Sequence, residues 1–255
     1  MKSNIRVLKS ALPLFLEGTN GKAALLQHGF NGYPTEMYGL AHRLHDEGYT
    51  VSVPRLPGHA TNAADFKKTN WKIWYQHVRN EYLNLQSRFE SVSMVGVSMG
   101  GLMAILIAAE FQPEKIILLA PAMSIKPRIM YYTPILKFFI PKLKRKRKID
   151  PNIDEDRLYM EEEYWSYHFT RSIANFLKIL KLAKRRLEDV TCPYYIMLSE
   201  KDSTVLLEAG DIIEKGIGSP PSGKLILKNS PHVFFEGPEN DFVLDKVTEW
   251  MKESI

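Results

Sequence analysis

The chain has 255 residues, of which 45% are hydrophobic and 25% are charged, and its formal net charge is +5. This composition is typical of a globular protein with a sizeable core, built as one large domain or as one domain with an insert. The single cysteine, Cys192, excludes an internal disulfide. No run of 18 apolar residues predicts a membrane span and no signal peptide is evident, so we expect a cytoplasmic protein.

The positive charge is concentrated in one basic run, residues 142–148, which holds six cations in seven positions. Outside this run acids slightly outnumber bases, so the charge does not indicate a nucleic-acid-binding protein. A solvated surface segment is the favoured interpretation. The alternative is weak, salt-sensitive contact with anionic membranes, in which Lys144–Lys148 meet head groups and nearby aromatic residues contact lipid. Those aromatic residues are Tyr131, Tyr132, Phe138 and Phe139.

Short apolar runs alternate with amphipathic segments along most of the chain. Strands are predicted at 23–27, 49–53, 91–95, 115–120, 194–198 and 224–227, with paired edge strands over 7–16 around Pro13. Helices are predicted at 35–47 with Thr35 as N-cap, 71–89 with Thr69 or Asn70 as N-cap, 99–111, 205–215 and 241–254. This alternation predicts an α/β fold, a mostly parallel sheet with helices on both faces.

The composition changes between residues 121 and 191. This stretch shows no convincing strand, and it contains an aromatic-rich piece, the basic run, an acidic stretch over 150–163 and a helical segment around 176–187. Strand and helix alternation resumes after it. We therefore predict a core of residues 1–120 and 192–255, with a helical cap of residues 121–191 inserted into it.

A Gly-x-Ser-x-Gly motif, Gly96 to Gly100, lies between the predicted strand 91–95 and the predicted helix that starts at Met99. A tight turn between strand and helix exposes a serine hydroxyl, here that of Ser98, to a neighbouring base. Gly96 and Gly100 are expected where neighbouring backbone passes too close for a side chain. The motif alone is weak evidence for a catalytic serine, because a glycine-rich loop that merely turns the chain can have the same sequence. The flanking strand and helix favour a nucleophile.

A serine nucleophile needs a histidine base and an acid that orients it. In open α/β sheets such groups lie on loops beyond the carboxyl ends of strands. Asp202 follows the predicted strand 194–198, and His232 follows the last predicted strand. Glu200 lies two residues before Asp202 and is the alternative acid. Asp202 is favoured because it lies further into the loop and just before a helix.

Developing negative charge on a substrate oxygen needs fixed N–H donors. Met99, directly after the serine, is expected to supply one. Phe30, in the loop after the predicted strand 23–27, is expected to supply the other. For His28 and His59 a structural role in binding loop backbone is favoured over direct catalysis.

At these residues the sequence resembles the α/β-hydrolase superfamily, and within it the small bacterial carboxylesterases and monoacylglycerol lipases. The resemblance spans nearly the whole chain outside 121–191. It is carried by Leu26–Phe30, Pro57–His59, Trp71–Trp74, Gly96–Gly101, Asp202 with Val205, and His232–Val233. It implies ester hydrolysis through an acyl-enzyme, with Ser98 as nucleophile, His232 as general base and then acid, and Asp202 as orienting acid. It also implies a helical cap over the site and no cofactor or metal.

The first hypothesis for function is a serine esterase acting on short- to medium-chain acyl esters, with monoacylglycerols as a natural candidate. The aromatic and aliphatic residues of the predicted cap suit an apolar acyl chain. The alternatives are an esterase for hydroxycinnamoyl or feruloyl esters, a non-catalytic ligand-binding protein of the same fold, and a peptidase. No nucleic acid is expected as a partner. The sequence leaves the oligomeric state open.

Overall fold

The computed structural model describes residues 8–126, 128–145 and 153–253. The strands are β1 (Leu14–Leu16), β2 (Lys22–Gln27), β3 (Thr50–Val53), β4 (Ser91–Val97), β5 (Ile116–Leu119), β6 (Lys142–Lys144), β7 (Tyr167–Phe169), β8 (Tyr194–Ser199) and β9 (Gly223–Leu227). Seven of these form one sheet in the order β1-β3-β2-β4-β5-β8-β9. Every pair of neighbouring strands in this sheet is parallel except β1 and β3, which are antiparallel. The predicted fold class is confirmed.

Helices surround this sheet. They are α1 (Tyr38–Asp46), α2 (Ala63–Lys68), α3 (Trp71–Gln86), α4 (Met99–Phe111), α5 (Thr133–Leu136), α6 (Glu155–Met160), α7 (Thr170–Arg185), α8 (Glu208–Ile217) and α9 (Asn240–Lys252). No helix among the described residues is long and apolar enough to cross a membrane.

The core lies in two layers, one on each face of the sheet. Successive side chains of a strand point to opposite faces, so Ile116 and Leu118 of β5 pack in one layer and Ile117 and Leu119 in the other. Because both faces are covered, the central strands are apolar throughout, as is usual for parallel sheets. This explains why short apolar runs predicted them well.

Helix α4 is buried on almost every side. Its residues Met99 to Ala109 are all buried, because the sheet covers one side and α7 packs against it. A helix that is apolar all round is stable only when it is covered in this way. The 121–191 segment therefore contributes to the packing of the helix that follows Ser98.

Three predictions near the N-terminus are wrong. Lys9–Ala11 forms a 3₁₀ turn and only Leu14–Leu16 is a strand, which pairs with β3 and not with a second strand before Pro13. Helix α1 begins at Tyr38, after a 3₁₀ turn over Pro34–Met37. Thr35 is not its cap, because the Thr35 hydroxyl donates to the Ser10 carbonyl.

Other differences involve short elements. Asn70, one of the two predicted caps, accepts N–H bonds at the start of α3, but the preceding helix α2 was not predicted. The 121–191 segment does contain strands, since β6 and β7 form a small antiparallel pair. The helix predicted from Val205 begins only at Glu208, because Val205 forms a bridge with Ile125.

The glycines of the motif lie where backbone segments meet, as predicted. A Cβ built at Gly96 would lie 2.2 Å from the carbonyl oxygen of Gly100. A Cβ at Gly100 would lie 2.2 Å from the carbonyl oxygen of Gln27 in β2. Neither position can accept a methyl group unless the backbone moves.

We expect Gly100→Ala to lower the free energy of unfolding by about 3 kcal/mol or more, because the added methyl group meets backbone and not a flexible side chain. The control is Gly39→Ala in α1, where the nearest atom is a Leu244 methyl carbon at 3.7 Å. That change should be neutral or stabilise by about 0.5 kcal/mol. Urea denaturation of both variants measures the difference, and similar stabilities would contradict the argument.

Candidate active site

The structure brings Ser98, Asp202 and His232 together from three separate loops. His232 Nε2 lies 3.0 Å from Ser98 Oγ, and His232 Nδ1 lies 2.7 Å from Asp202 Oδ2. Ser98 and Asp202 are buried, and the His232 side chain is partly exposed. With a proton on Nδ1, the imidazole presents its Nε2 lone pair to the serine hydroxyl. This is the arrangement in which a serine oxygen becomes a nucleophile.

Ser98 occupies a strained turn between β4 and α4. Its φ is 56° and its ψ is −113°, a conformation that non-glycine residues rarely adopt. The Ser98 N–H donates to the Leu119 carbonyl at 2.8 Å, and its carbonyl accepts from Ala122 N–H at 3.2 Å. These bonds tie the turn to the end of β5 and hold the strained backbone in place.

Asp202 is the acid that reaches the histidine, and Glu200 is not. Besides its bond to His232, the Asp202 carboxylate accepts the N–H groups of Thr204 at 2.7 Å and Val205 at 2.9 Å. Burial by itself would raise the pKa of Asp202, but the bond from His232 and the two N–H bonds hold the pKa below its ordinary value. Glu200 instead forms an exposed ion pair with Lys228 at 2.5 Å.

The loop that carries His232 is fixed by Glu239, a residue that sequence analysis did not single out. The Glu239 carboxylate accepts from the N–H groups of Lys228 at 3.2 Å and Asn229 at 3.0 Å, and from Ser230 Oγ at 2.7 Å. The hydrogen bond from Ser230 is the main cause of a lowered pKa at Glu239. The Ser230 carbonyl also accepts from Ser199 Oγ at 2.6 Å. The loop is therefore bonded to both β8 and the start of α9.

The two expected oxyanion donors lie on either side of the serine. Met99 is the first residue of α4, and Phe30 follows Gly29, whose Cα faces the Ser98 side chain. In the described part of the chain, the N–H groups of Phe30 and Met99 donate no hydrogen bond. Both are available to an oxygen bound beside Ser98 Oγ.

His28 and His59 bind loop backbone, as predicted. His28 Nδ1 donates to the Gly29 carbonyl at 2.9 Å, and its Nε2 accepts from Leu56 N–H at 3.2 Å. Burial lowers the pKa of His28 to about 4 and that of His59 well below its ordinary value. Both imidazoles are therefore neutral at physiological pH, and His28 fixes the loop that presents Gly29 and Phe30.

A cavity of about 320 Å³ opens over Ser98 and His232. Its wall combines the loop after β2, Arg145, residues from the segment 153–165 and the loop after His232. Many of the side chains that line it are polar or charged: Asn31, Tyr33, Glu36, Arg145, Arg157, Glu161, Trp165 and Glu236. Sequence analysis missed these residues, because segments distant in the chain meet here and no spacing links them. The aromatic residues of 131–139 do not line the cavity, and Phe138 and Phe139 are 76% and 80% exposed.

Opposite charges meet on one wall of this cavity. Arg157 Nη2 lies 3.3 Å from a Glu236 oxygen and also bonds the Tyr33 side chain. Burial, with the nearby charge of Glu236 as a smaller cause, raises the pKa of Glu36 to about 8. Burial likewise raises the pKa of Tyr33 to about 12. At neutral pH this wall therefore offers neutral hydrogen-bonding groups beside one ion pair.

Among the described residues, no three His, Cys, Asp or Glu side chains are grouped to hold a metal ion. The chemistry that the site itself can supply is a serine nucleophile, an imidazole that can take up and return a proton, and two N–H donors for an oxyanion. These are the groups required for acyl transfer.

The chain is similar to known hydrolases in sequence and in fold. The Hydrolase_4 family, described as serine aminopeptidase S33, matches residues 19–235. The chain is 30% identical to a thermostable monoacylglycerol lipase of Bacillus sp. (strain H-257), over 98% of both chains. It is 24% identical to a carboxylesterase of Bacillus subtilis (strain 168), over 91% of this chain and 93% of the relative. A solved structure from work on LipS and LipT, two metagenome-derived lipolytic enzymes, superposes with a TM-score of 0.84 at 25% identity, covering 98% of this chain and 100% of that chain.

We expect Glu36→Gln to remove a pH dependence of stability. Because the pKa of Glu36 is about 8 when folded and near 4.5 when unfolded, the folded protein holds more protons between these values. Stability therefore falls as pH rises from about 4.5 to 8, by at most about 1.4 kcal/mol per pH unit. Relative to Glu36→Gln, the wild type should lose stability across this window in urea denaturation. Glu90→Gln, which removes an exposed carboxylate, is the control, and a constant difference for Glu36→Gln would contradict the prediction.

Proposed function

The chain belongs to the Hydrolase_4 family of α/β-hydrolases and is an esterase- or lipase-type hydrolase, and from this we propose that it cleaves carboxylic esters through an acyl-enzyme on Ser98. The observation that carries the proposal is the line of hydrogen bonds from Asp202 through His232 to Ser98 at the floor of a cavity. Each group stands at the distance that proton transfer requires.

In the proposed first half-reaction, Ser98 Oγ attacks the ester carbonyl while His232 Nε2 takes the serine proton. The carbonyl oxygen becomes an oxyanion, and the N–H groups of Phe30 and Met99 donate to it. Asp202 holds the imidazole in the required tautomer and stabilises its positive charge. The tetrahedral intermediate then collapses, the bond to the alcohol oxygen breaks, and His232 returns its proton to the leaving alcohol.

In the second half-reaction, water attacks the acyl carbonyl while His232 again takes a proton. The bond to Ser98 Oγ breaks, the serine regains a proton from His232, and the carboxylic acid leaves. The reactants of the two steps are the ester and water, and Ser98, His232, Asp202 and the two N–H groups carry the proton and charge transfers.

The polar wall of the cavity supports an ester whose alcohol is polar. Asn31, Glu36 and Arg157 offer donors and acceptors to hydroxyl groups, while Phe30 and Val97 beside Ser98 suit a modest apolar acyl group. A monoacylglycerol has this combination. The relative named as a monoacylglycerol lipase, at 30% identity, supports the same substrate class.

Two other substrate classes stay open to experiment. Esters of hydroxycinnamic acids would use the same three residues and differ only in how the cavity holds the acid. An aminopeptidase would need an acidic site for the substrate amine, and Glu36, Glu161 and Glu236 do line the cavity. However, Glu36 is mostly protonated at neutral pH because its pKa is about 8. The charges of Arg145 and Arg157 then balance those of Glu161 and Glu236, so the wall has no net excess of negative charge that would favour an amine.

We expect Ser98→Ala to lower kcat for ester hydrolysis by about 10⁴-fold or more, because the nucleophile is lost. The substrate panel contains 1-monoacylglycerols, p-nitrophenyl esters from acetate to palmitate, methyl ferulate and an aminoacyl-p-nitroanilide. The proposal expects the monoacylglycerols and shorter p-nitrophenyl esters to be preferred. Ser93→Ala is the matched control, since Ser93 is a buried serine of β4, the strand before Ser98, with no hydrogen-bond partner among the described residues.

A fluorophosphonate should label the wild type and Ser93→Ala but not Ser98→Ala. Labelling without turnover of the panel would mean that the nucleophile is right and the substrate class is wrong. Absence of both labelling and turnover in a folded wild type would refute catalysis at Ser98 and favour a ligand-binding role.

The choice between the two acids of the β8 loop is tested by a matched pair. Asp202→Asn should lower kcat by about 10⁴-fold, because an amide leaves His232 in the wrong tautomer. Glu200→Gln should change kcat by less than about threefold, because it removes only an exposed ion pair. Steady-state kinetics with p-nitrophenyl butyrate provide the measurement. A larger loss in Glu200→Gln than in Asp202→Asn would reverse the assignment.

A further inference from the structure

Exposed apolar side chains are concentrated in one short part of the 121–191 segment. Of the 14 large hydrophobic residues that are exposed in the described chain, seven lie between 129 and 140. We call them the 129–140 patch: Ile129, Tyr131, Tyr132, Ile135, Phe138, Phe139 and Ile140. Single exposed apolar residues are common, but a group of them close together marks a surface that contacts another molecule or a membrane.

The patch is carried by a fixed framework. The buried Thr133 hydroxyl donates to the Met130 carbonyl at 2.6 Å, and the Thr170 hydroxyl donates to the Ile140 carbonyl at 2.6 Å. The Tyr131 hydroxyl accepts from Ile125 N–H at 3.4 Å. Helix α5 also packs on α7. The exposed side chains are therefore presented outward by a backbone bonded to the rest of the fold.

The charge around the patch has one sign. No Asp or Glu occurs between Glu114 and Asp150. The exposed cations Arg128, Lys142 and Lys144 form no ion pair within the described part of the chain, although Lys142 lies 4.0 Å from the centre of the Tyr167 ring. The basic run continues with Lys146, Arg147 and Lys148, which lie outside the described residues.

We infer that the 129–140 patch docks on an anionic lipid surface. Phenylalanine and isoleucine side chains enter the boundary between head groups and acyl chains, the Tyr132 hydroxyl stays among the head groups, and the flanking cations meet lipid phosphates. A second copy of this chain is a poorer occupant. Two copies joined through this patch would bring the unpaired cations of both chains close together.

The patch lies next to the candidate active site along the chain. Strand β6 follows it directly, and Arg145, the residue after β6, lines the cavity over Ser98. On the other side of the patch, the Lys126 ammonium donates to the Asp202 carbonyl. Short segments therefore connect both ends of the patch to residues at the candidate site. The inference goes beyond ester hydrolysis and does not depend on it.

The test is sedimentation of the full chain with vesicles of phosphatidylcholine alone or mixed with phosphatidylglycerol, at low and at high salt. The wild type should bind the anionic vesicles, with an affinity that falls as salt screens the cations. Phe138→Ser combined with Phe139→Ser should weaken binding by about tenfold or more, because two exposed rings no longer leave water. Lys142→Gln combined with Lys144→Gln should weaken it by about fivefold for each charge removed. Phe242→Ser in α9, which removes a 45% exposed ring outside the patch, should leave binding unchanged.

Three outcomes would overturn the inference. The first is no binding to anionic vesicles at low salt, where it should be strongest. The second is equal loss of binding in Phe242→Ser and in the double phenylalanine variant. The third is a dimer in sedimentation velocity that the double variant abolishes while no vesicle binding occurs, which would make the patch an interface between copies. Circular dichroism confirms that each variant is folded, and the activity of the double variant on soluble p-nitrophenyl butyrate should equal that of the wild type.

Discussion

The candidate active site depends on how closely three backbone segments approach one another around Ser98. Gly96 at the end of β4 and Gly100 in α4 lie at van der Waals limits, and the Gly29 Cα faces the serine from the loop after β2. This approach sets the position of the hydroxyl and holds Ser98 at a positive φ that costs about 1–3 kcal/mol. Such strain persists only where the surroundings are well packed. The burial of Met99 to Ala109 of α4 between the sheet and α7 provides that packing, so the conformation of Ser98 depends on residues far from it in the chain.

Buried titratable groups around the site follow one physical rule. Asp202 stays charged because three N–H donors replace the water that burial removes, and the sum of these bonds exceeds the cost of burial. His28 has only one carbonyl acceptor and one N–H donor, so burial prevails and its pKa falls to about 4. Glu36 has few donors and a like charge nearby, and its pKa rises to about 8. Asp202 finds enough hydrogen bonds that favour its charged form to outweigh the cost of burial, whereas His28 and Glu36 do not.

The elements that could be predicted from the sequence are those with a strong local pattern of apolar residues. Apolar runs such as those of β4 and β5 are buried on both faces, so the sequence identifies these strands. The Gly-x-Ser-x-Gly motif, Asp202 and His232 each follow the end of a predicted strand, so they could be found in turn. Strands β6 and β7 could not be found in this way, because three residues of mixed polarity, such as Lys142–Lys144, carry no periodicity. Before Pro13 the expected second strand is a 3₁₀ turn, since proline lacks the N–H that a strand ladder needs. The residues of the cavity wall could not be predicted for another reason, because Glu36, Arg157 and Glu236 are distant in the sequence and meet only in the folded chain.

Residues 121–191 present two different surfaces, one exposed to solvent and one that lines the cavity over Ser98. Within β6 the side chains alternate, so Lys142 and Lys144 are exposed while Leu143 is half-buried, and Arg145 then turns into the cavity. Residues 142–145 therefore lie between the solvent-exposed surface and the wall of the cavity. The aromatic residues that looked suited to an acyl chain in the sequence lie on the outer side, which leaves the inner wall polar. Under the two proposals, this segment would contact the substrate with its inner wall and lipid with its outer face, while the loops of the sheet carry Ser98, Asp202 and His232. Changes on the outer face of 121–191 should then alter where the protein acts without altering what Ser98 can do.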